Sequence, residues 1–225
     1  MKALNNLKTS VKLIGAFVII ALILLQADKF APEAKLPNSA HQLLCSEGKV
    51  SGPYLATVLL VAAILANIDE GALKIEIKQQ KKKLFGAGSS HVFISPLGQP
   101  PSWNGYTLES VVLFAAGQLF AVQGEYTVQK VVHTILIEDR KAPWEKVIET
   151  VEWGLASSNW LMPVEGDAAA IFSTPFICPE KVRELAFGQS LVPVKQLLAD
   201  CKNNTPEIWS MMLDEIEKAF ASRRI

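Results

Sequence analysis

"GPYLATVLLVAAILANIDEGALKIEIKQQKKK", Gly52 to Lys83, begins as an unbroken apolar run and ends in alternating apolar and charged residues. The apolar part, Tyr54 to Ile68, falls short of the roughly 20 residues that span a bilayer, and Asp69-Glu70-Gly71 stops it abruptly. It therefore reads as the buried helix of a packed core. Gly52-Pro53 supplies the start, proline being suited to a first helical turn, and Asn67 and Gly71 punctuate the end. Leu73-Lys74-Ile75-Glu76-Ile77-Lys78 then has the period of a strand with one buried face. His91-Val92-Phe93-Ile94 is the nearest partner, across a loop holding Gly86 and Gly88. A core helix feeding a hairpin is expected.

Half of the 225 residues are hydrophobic, enough for a packed core and too many for a disordered chain. Lys+Arg and Asp+Glu balance at 22 each, so no global basic field draws the protein to nucleic acid. Cys45, Cys178 and Cys201 are odd in number and scattered, which is neither a disulfide framework nor a CxxC zinc pattern. His41 and Cys45 stand four apart on an expected short helix, but two ligands do not make a metal site. An exposed histidine beside a core cysteine is expected. Neither metal nor cofactor is called for.

Lys2, Lys8 and Lys12 precede a charge-free run, LIGAFVIIALILLQA, Leu13 to Ala27. As a helix it covers about 22 Å, and Thr9 to Val11 with a snorkelling Lys12 extend it toward the roughly 30 Å of a hydrocarbon core. The expectation is a single-pass membrane anchor. Two other readings use the same residues: a signal peptide cleaved after Leu25-Gln26-Ala27, and a helix buried in a domain. Three lysines before the run, against Lys29 and Lys35 soon after it, lean toward a domain outside the cytoplasm.

The helix–hairpin order returns in APWEKVIETVEWGLASSNWLMPVEGDAAAIFSTPF, Ala142 to Phe176. Trp144, Val147, Ile148, Val151 and Leu155 share a helix face. Strands at Trp160 to Val164 and Ala169 to Phe172 complete a second hairpin. A shorter helix precedes each long one, Ala40 to Cys45 and Thr127 to Ile137, which is the winged-helix order. Between the units lies a Pro/Gly-rich connector, where Thr107 caps a helix Leu108 to Val122. Glu180 to Asp200 reads helical with a break at Pro193. Thr205-Pro206-Glu207 opens a last helix with Ile208, Trp209, Met212, Ile216 and Phe220 along one side. The expected fold class is mainly α with small β-hairpins (α+β). In order, an N-terminal transmembrane helix (residues 1–30), a linker (31–37), two winged-helix-like units (38–98 and 107–179, joined by 99–106) and C-terminal helices (180–225) follow.

This order resembles bacterial membrane proteins that carry tandem winged-helix-like modules behind one anchor. The pairing of LATVLLVAAILANIDEGALKIEI with VIETVEWGLASSNWLMPVEGDAAAIF also resembles Golgi phosphoprotein 3-like domains. That second resemblance implies a largely helical, cytoplasmic body that binds phosphoinositide headgroups at a membrane. It further implies basic residues near the starts of both core helices. Here the first helix offers only Pro53 and Tyr54, while the second offers Arg140, Lys141 and Lys146 around Trp144.

Three features are candidates for function. Lys78, Lys81, Lys82 and Lys83 run into FGAGSS, a basic Gly-rich wing suited to phosphates of lipid or nucleic acid. No GKS/T follows, which excludes a nucleotide P-loop. Arg140, Lys141 and Lys146 surround a helix N-terminus, an anion-binding corner. The plain alternatives are a solvated hairpin tip and an ordinary loop. His133 has Glu138 and Asp139 nearby, but on a helix these point elsewhere, and no motif places a nucleophile. Catalytic geometry would have to be assembled from distant parts of the chain. Glu145, Glu149 and Glu152 disfavour nucleic acid at the second core helix. The expected function is non-catalytic binding or scaffolding by a protein held to the membrane through Leu13–Ala27, with anionic lipid or a protein as partner. The alternatives are a headgroup adaptor, a membrane-tethered DNA regulator and an exported enzyme.

Overall fold

A helix with no polar face is stable in water only if every side of it is covered. In the computed structural model, which describes residues 19–80, 89–98, 103, 107–136, 142–164 and 176–222, that helix is α2, Gly52–Asp69. By length and composition α2 is apolar enough to cross a membrane, yet most of it is buried in the body. Its cover comes from α1 (Ile19–Leu25), β3 (Leu73–Gln80), α3 (Leu108–Gln123), α5 (Pro143–Ser157), α7 (Val192–Asn204) and α8 (Pro206–Ala221). Leu55, Leu59, Leu60 and Ile64 are left without solvent contact. One continuous core runs from α1 to α8. The described residues are mainly helical, with three small antiparallel sheets.

The hairpin follows its alternation. β3 pairs with β4 (Ser89–Pro96), placing Ile75 opposite Ile94 and Ile77 opposite Val92. A third strand, β5 (Tyr126–Thr127), adds to β4 beside Phe93 and Ile94. Thr107 caps α3 by accepting from the Ser110 N–H, and Thr127 caps α4 (Val128–Ile135) through the Lys130 N–H. The two long helices of the repeat meet at their starts, where the Trp144 ring lies on Gly52. A Cβ at residue 52 would stand 2.3 Å from that ring, so only glycine fits.

Several expectations change. Of the run expected as an anchor, Ile19–Leu25 is α1, every residue of it buried, and Ala27 is buried behind it. Leu13–Val18 lies outside the described residues. The buried Gln26 donates from Nε2 to the Ala186 carbonyl at 2.7 Å, on α6 (Glu180–Gly188). For residues 19–27 the buried-helix reading is therefore the one found, because α2 needs a partner on that side. Ala40–Gln42 is a strand, β1, paired with β2 (Lys49–Ser51), where a helix was expected. The first unit thus lacks the leading helix of a winged-helix order. β6 (Met162–Pro163) pairs with β7 (Phe176–Ile177), while the strand expected at Ala169 to Phe172 lies outside the described residues. The segment expected to be helical with a break at Pro193 is two helices, α6 and α7, parted at residues 189–191, and Pro193 sits in the first turn of α7, where its missing N–H costs nothing.

The cysteines also differ from expectation. Cys45 and Cys178, 133 residues apart, form a disulfide that fastens the β1–β2 loop to the start of α6. Cys201 is a buried thiol. Peptide mapping of the unreduced chain should recover Cys45 and Cys178 in one linked fragment. The double substitution Cys45→Ala, Cys178→Ala should lower the unfolding free energy by about 2–5 kcal/mol. Alkylation of both thiols without reductant would contradict the linkage.

Candidate functional site

The hairpin carries most of the chemistry, because strand alternation puts Lys74, Glu76 and Lys78 on its outer face, opposite Ser95, Phe93 and His91. Glu125, just before β5, closes this group. Lys78 pairs with Glu125 and, at 3.1 Å, with Glu76, and its ammonium stands 5.9 Å from the Phe93 ring centre. Lys74 lies 3.5 Å from Glu76 and 3.9 Å from Glu125, and the Ser95 hydroxyl donates to Glu125 at 3.0 Å. The bond from Lys78, aided by Ser95, holds the Glu125 carboxyl below its usual range, and Lys78 does the same to Glu76. Glu125 in turn raises Lys78. These groups are half-exposed, so the network adds little stability. Its consequence is chemical: the Lys78 charge is already matched inside the protein.

The other basic candidates divide in two. Lys81, Lys82, Lys83, Arg140 and Lys141 lie outside the described residues. Lys146 stands in the first turn of α5, on a different element from Lys78, and has an interaction partner of its own. Trp144 packs between α5 and Gly52 as a core residue.

One site escaped the sequence. On β4, the Ser89 hydroxyl lies 2.7 Å from His91 Nε2, and His91 Nδ1 lies 3.1 Å from Glu215 Oε1 on α8. Glu215 is buried and takes two further hydrogen bonds, from the Val92 N–H at 2.9 Å and the Gln129 N–H at 3.0 Å. β5 is two residues long, so at Val92 the β4 edge has no strand beside it and the carboxylate takes that N–H. The Gln129 N–H belongs to the first turn of α4, where a negative charge is favoured. A signal for Glu215 does exist in the sequence: a carboxylate set between Met212 and Ile216 on the expected apolar face.

The remaining histidines are quieter. His133 lies on α4 with an interaction of its own, and its expected acidic neighbours are outside the described residues. His41 was expected to be exposed on a helix. It stands on β1 with Nε2 buried and unpartnered, and burial lowers its pKa to about 4, so the ring stays neutral. Among the described residues no three His, Cys, Asp or Glu side chains gather as metal ligands.

A second buried carboxyl, Glu109, sits in the first turn of α3 without solvent contact. Asn67 braces this corner. Its amide donates to the Ala63 and Glu109 carbonyls at 2.9 and 3.0 Å and accepts from Trp103 Nε1 at 2.9 Å. Neither carboxyl oxygen of Glu109 makes a full hydrogen bond among the described residues. Burial pushes the group up to about 7, against a weaker opposite pull from its own N–H, the Thr107 hydroxyl and the Ile20 N–H.

Compared with known protein families, curated proteins and solved structures, the chain finds no match, so function has to be argued from these groups.

Glu109 makes stability depend on pH. Its folded pKa lies above the unfolded value of 4.5, so the folded chain holds the proton more tightly between pH 4.5 and about 7. The stability gained from the neutral carboxyl is complete below 4.5, falls as pH rises, and is gone above about 7. The shift corresponds to roughly 3 kcal/mol at 1.36 kcal/mol per unit. Melting curves of wild type and Glu109→Gln from pH 4.5 to 8.5 should diverge by up to that amount in favour of glutamine at high pH. Parallel curves would contradict the burial.

Proposed function

We propose that this chain is a binding or scaffolding domain that works against a membrane surface on its oxidising side. The outward face of α3 carries the reading. α3 has no charge except the buried Glu109. Phe114 (66% exposed), Gln118, Ala121 and Val122 (74% exposed) recur there at helical steps on one side. Three exposed apolar side chains around one uncharged amide fit an apolar contact, and aromatic and aliphatic groups of this kind seat in the headgroup–acyl boundary.

A bilayer is the occupant that the chain itself favours. The N-terminal segment enters the fold beside the first turn of α3, where the Ile20 N–H approaches Glu109. Ahead of it stand Leu13–Val18 and the three lysines. With Ile19–Ala27 given over to the core, the charge-free run keeps six residues, Leu13 to Val18, a length well under the roughly 20 residues of a span. That length supports seating in one leaflet more than crossing it. The Cys45–Cys178 disulfide supports an oxidising compartment. Phosphate binding at the hairpin is less favoured, since Glu76 and Glu125 already match Lys78.

Partitioning of the full chain into neutral and anionic vesicles tests this. Phe114→Ser with Val122→Ser should weaken it about 10- to 100-fold at every salt concentration, since about 1.5–3 kcal/mol attends full burial of each such side chain and seating at the boundary covers about half of each. Replacing Lys81, Lys82 and Lys83 by alanine should matter only at low salt and only with anionic lipid. Equal partitioning of wild type and the serine variant would contradict the proposal.

A further inference from the structure

We propose that Ser89 is an activated nucleophile for acyl transfer from carboxylic esters, with His91 as its general base and Glu215 as the positioning residue. The proposal rests on the Ser89–His91–Glu215 hydrogen-bond chain and goes beyond the membrane-surface reading, which it does not need. A carboxylate can only accept, so Glu215 requires the proton of His91 on Nδ1, and Nε2 is left as the acceptor facing the Ser89 hydroxyl at 2.7 Å. That is the tautomer a general base needs. The pieces are held rigidly. Ser89 and His91 are two apart on β4, hence on one face, and their partners across the hairpin are Gln80 and Lys78. Glu215 is fixed from both sides by the Val92 and Gln129 N–H groups. Access suits the chemistry too: Glu215 is closed off, His91 is largely covered, and Ser89 faces solvent. The missing nucleophile of the sequence reading is thus supplied from two places 124 residues apart.

The chemistry closes without a cofactor. Ser89 Oγ bonds to the ester carbonyl carbon while its proton passes to His91 Nε2. The carbon–oxygen bond to the alcohol then breaks, and His91 returns the proton to the departing alkoxide. Water adds to the acyl-serine by the same route, losing its proton to His91 and releasing the acid and free Ser89. Glu215 stabilises the imidazolium formed in each half without taking its proton.

The test uses the full, folded chain and a fluorophosphonate probe, followed by peptide mapping. One adduct is expected, on Ser89, and it should be absent from Ser89→Ala and unchanged in Ser90→Ala. The Ser89→Ala chain should melt with wild type, since that side chain is exposed. His91→Gln should slow labelling by about 100-fold or more, the range of general-base assistance. The His91 Nδ1 proton should give a downfield resonance that Glu215→Gln removes, a signature that packing alone would not produce. No adduct on folded wild type, equal adducts on Ser89 and other serines, or a His91→Gln rate equal to wild type would each overturn the proposal.

Discussion

The all-round apolar surface of α2 is the constraint on which the rest of the structure depends. A helix of this kind offers no face to water, so each neighbour exists to cover one side of it. α3 and α5 cover two sides and meet α2 near its ends, through Asn67 and through Trp144 on Gly52. α7, α8 and β3 cover others. The last gap is filled by α1, a helix of seven apolar residues drawn from the N-terminal segment.

That choice takes α1 away from any bilayer. Lipid and a protein core are equally hospitable to IIALILL, and the same residues cannot occupy both. Once α1 is in the core, Gln26 is bound to α6, and the start of α6 is bound by the disulfide to the β1–β2 loop ahead of α2. The segment is therefore tied by packing, hydrogen bond and covalent link around one circuit. Among the apolar side chains still open to solvent are Phe114 and Val122 on α3, beyond the buried Glu109 corner.

The legible parts of the fold were those in which one short stretch carries its own pattern. Tyr54 to Ile68, the alternation from Leu73 to Lys78, and the threonine cap at 107 need no distant information. Those that were not legible depend on tertiary partners. Composition alone does not separate α1 in lipid from α1 in protein; the uncovered side of α2 does. β1, β2, β5 and β7 are two or three residues long, too short to show a period. The disulfide joins cysteines on either side of most of the chain. Among the candidate groups, Lys78 was visible, but its pairing with Glu125 required the fold. His91 was visible at the start of a strand and Ser89 only as part of the Gly-rich loop before it; β4 extends to include Ser89, and α8 brings Glu215 to both.

Native-state hydrogen exchange of the full chain in detergent-free buffer tests the central claim most directly. If α1 completes the core around α2, the amides of residues 22–25 should exchange only on global unfolding, with the same free energy as those of Leu59 to Leu65. Rapid exchange of residues 22–25 while α2 stays protected would contradict the account.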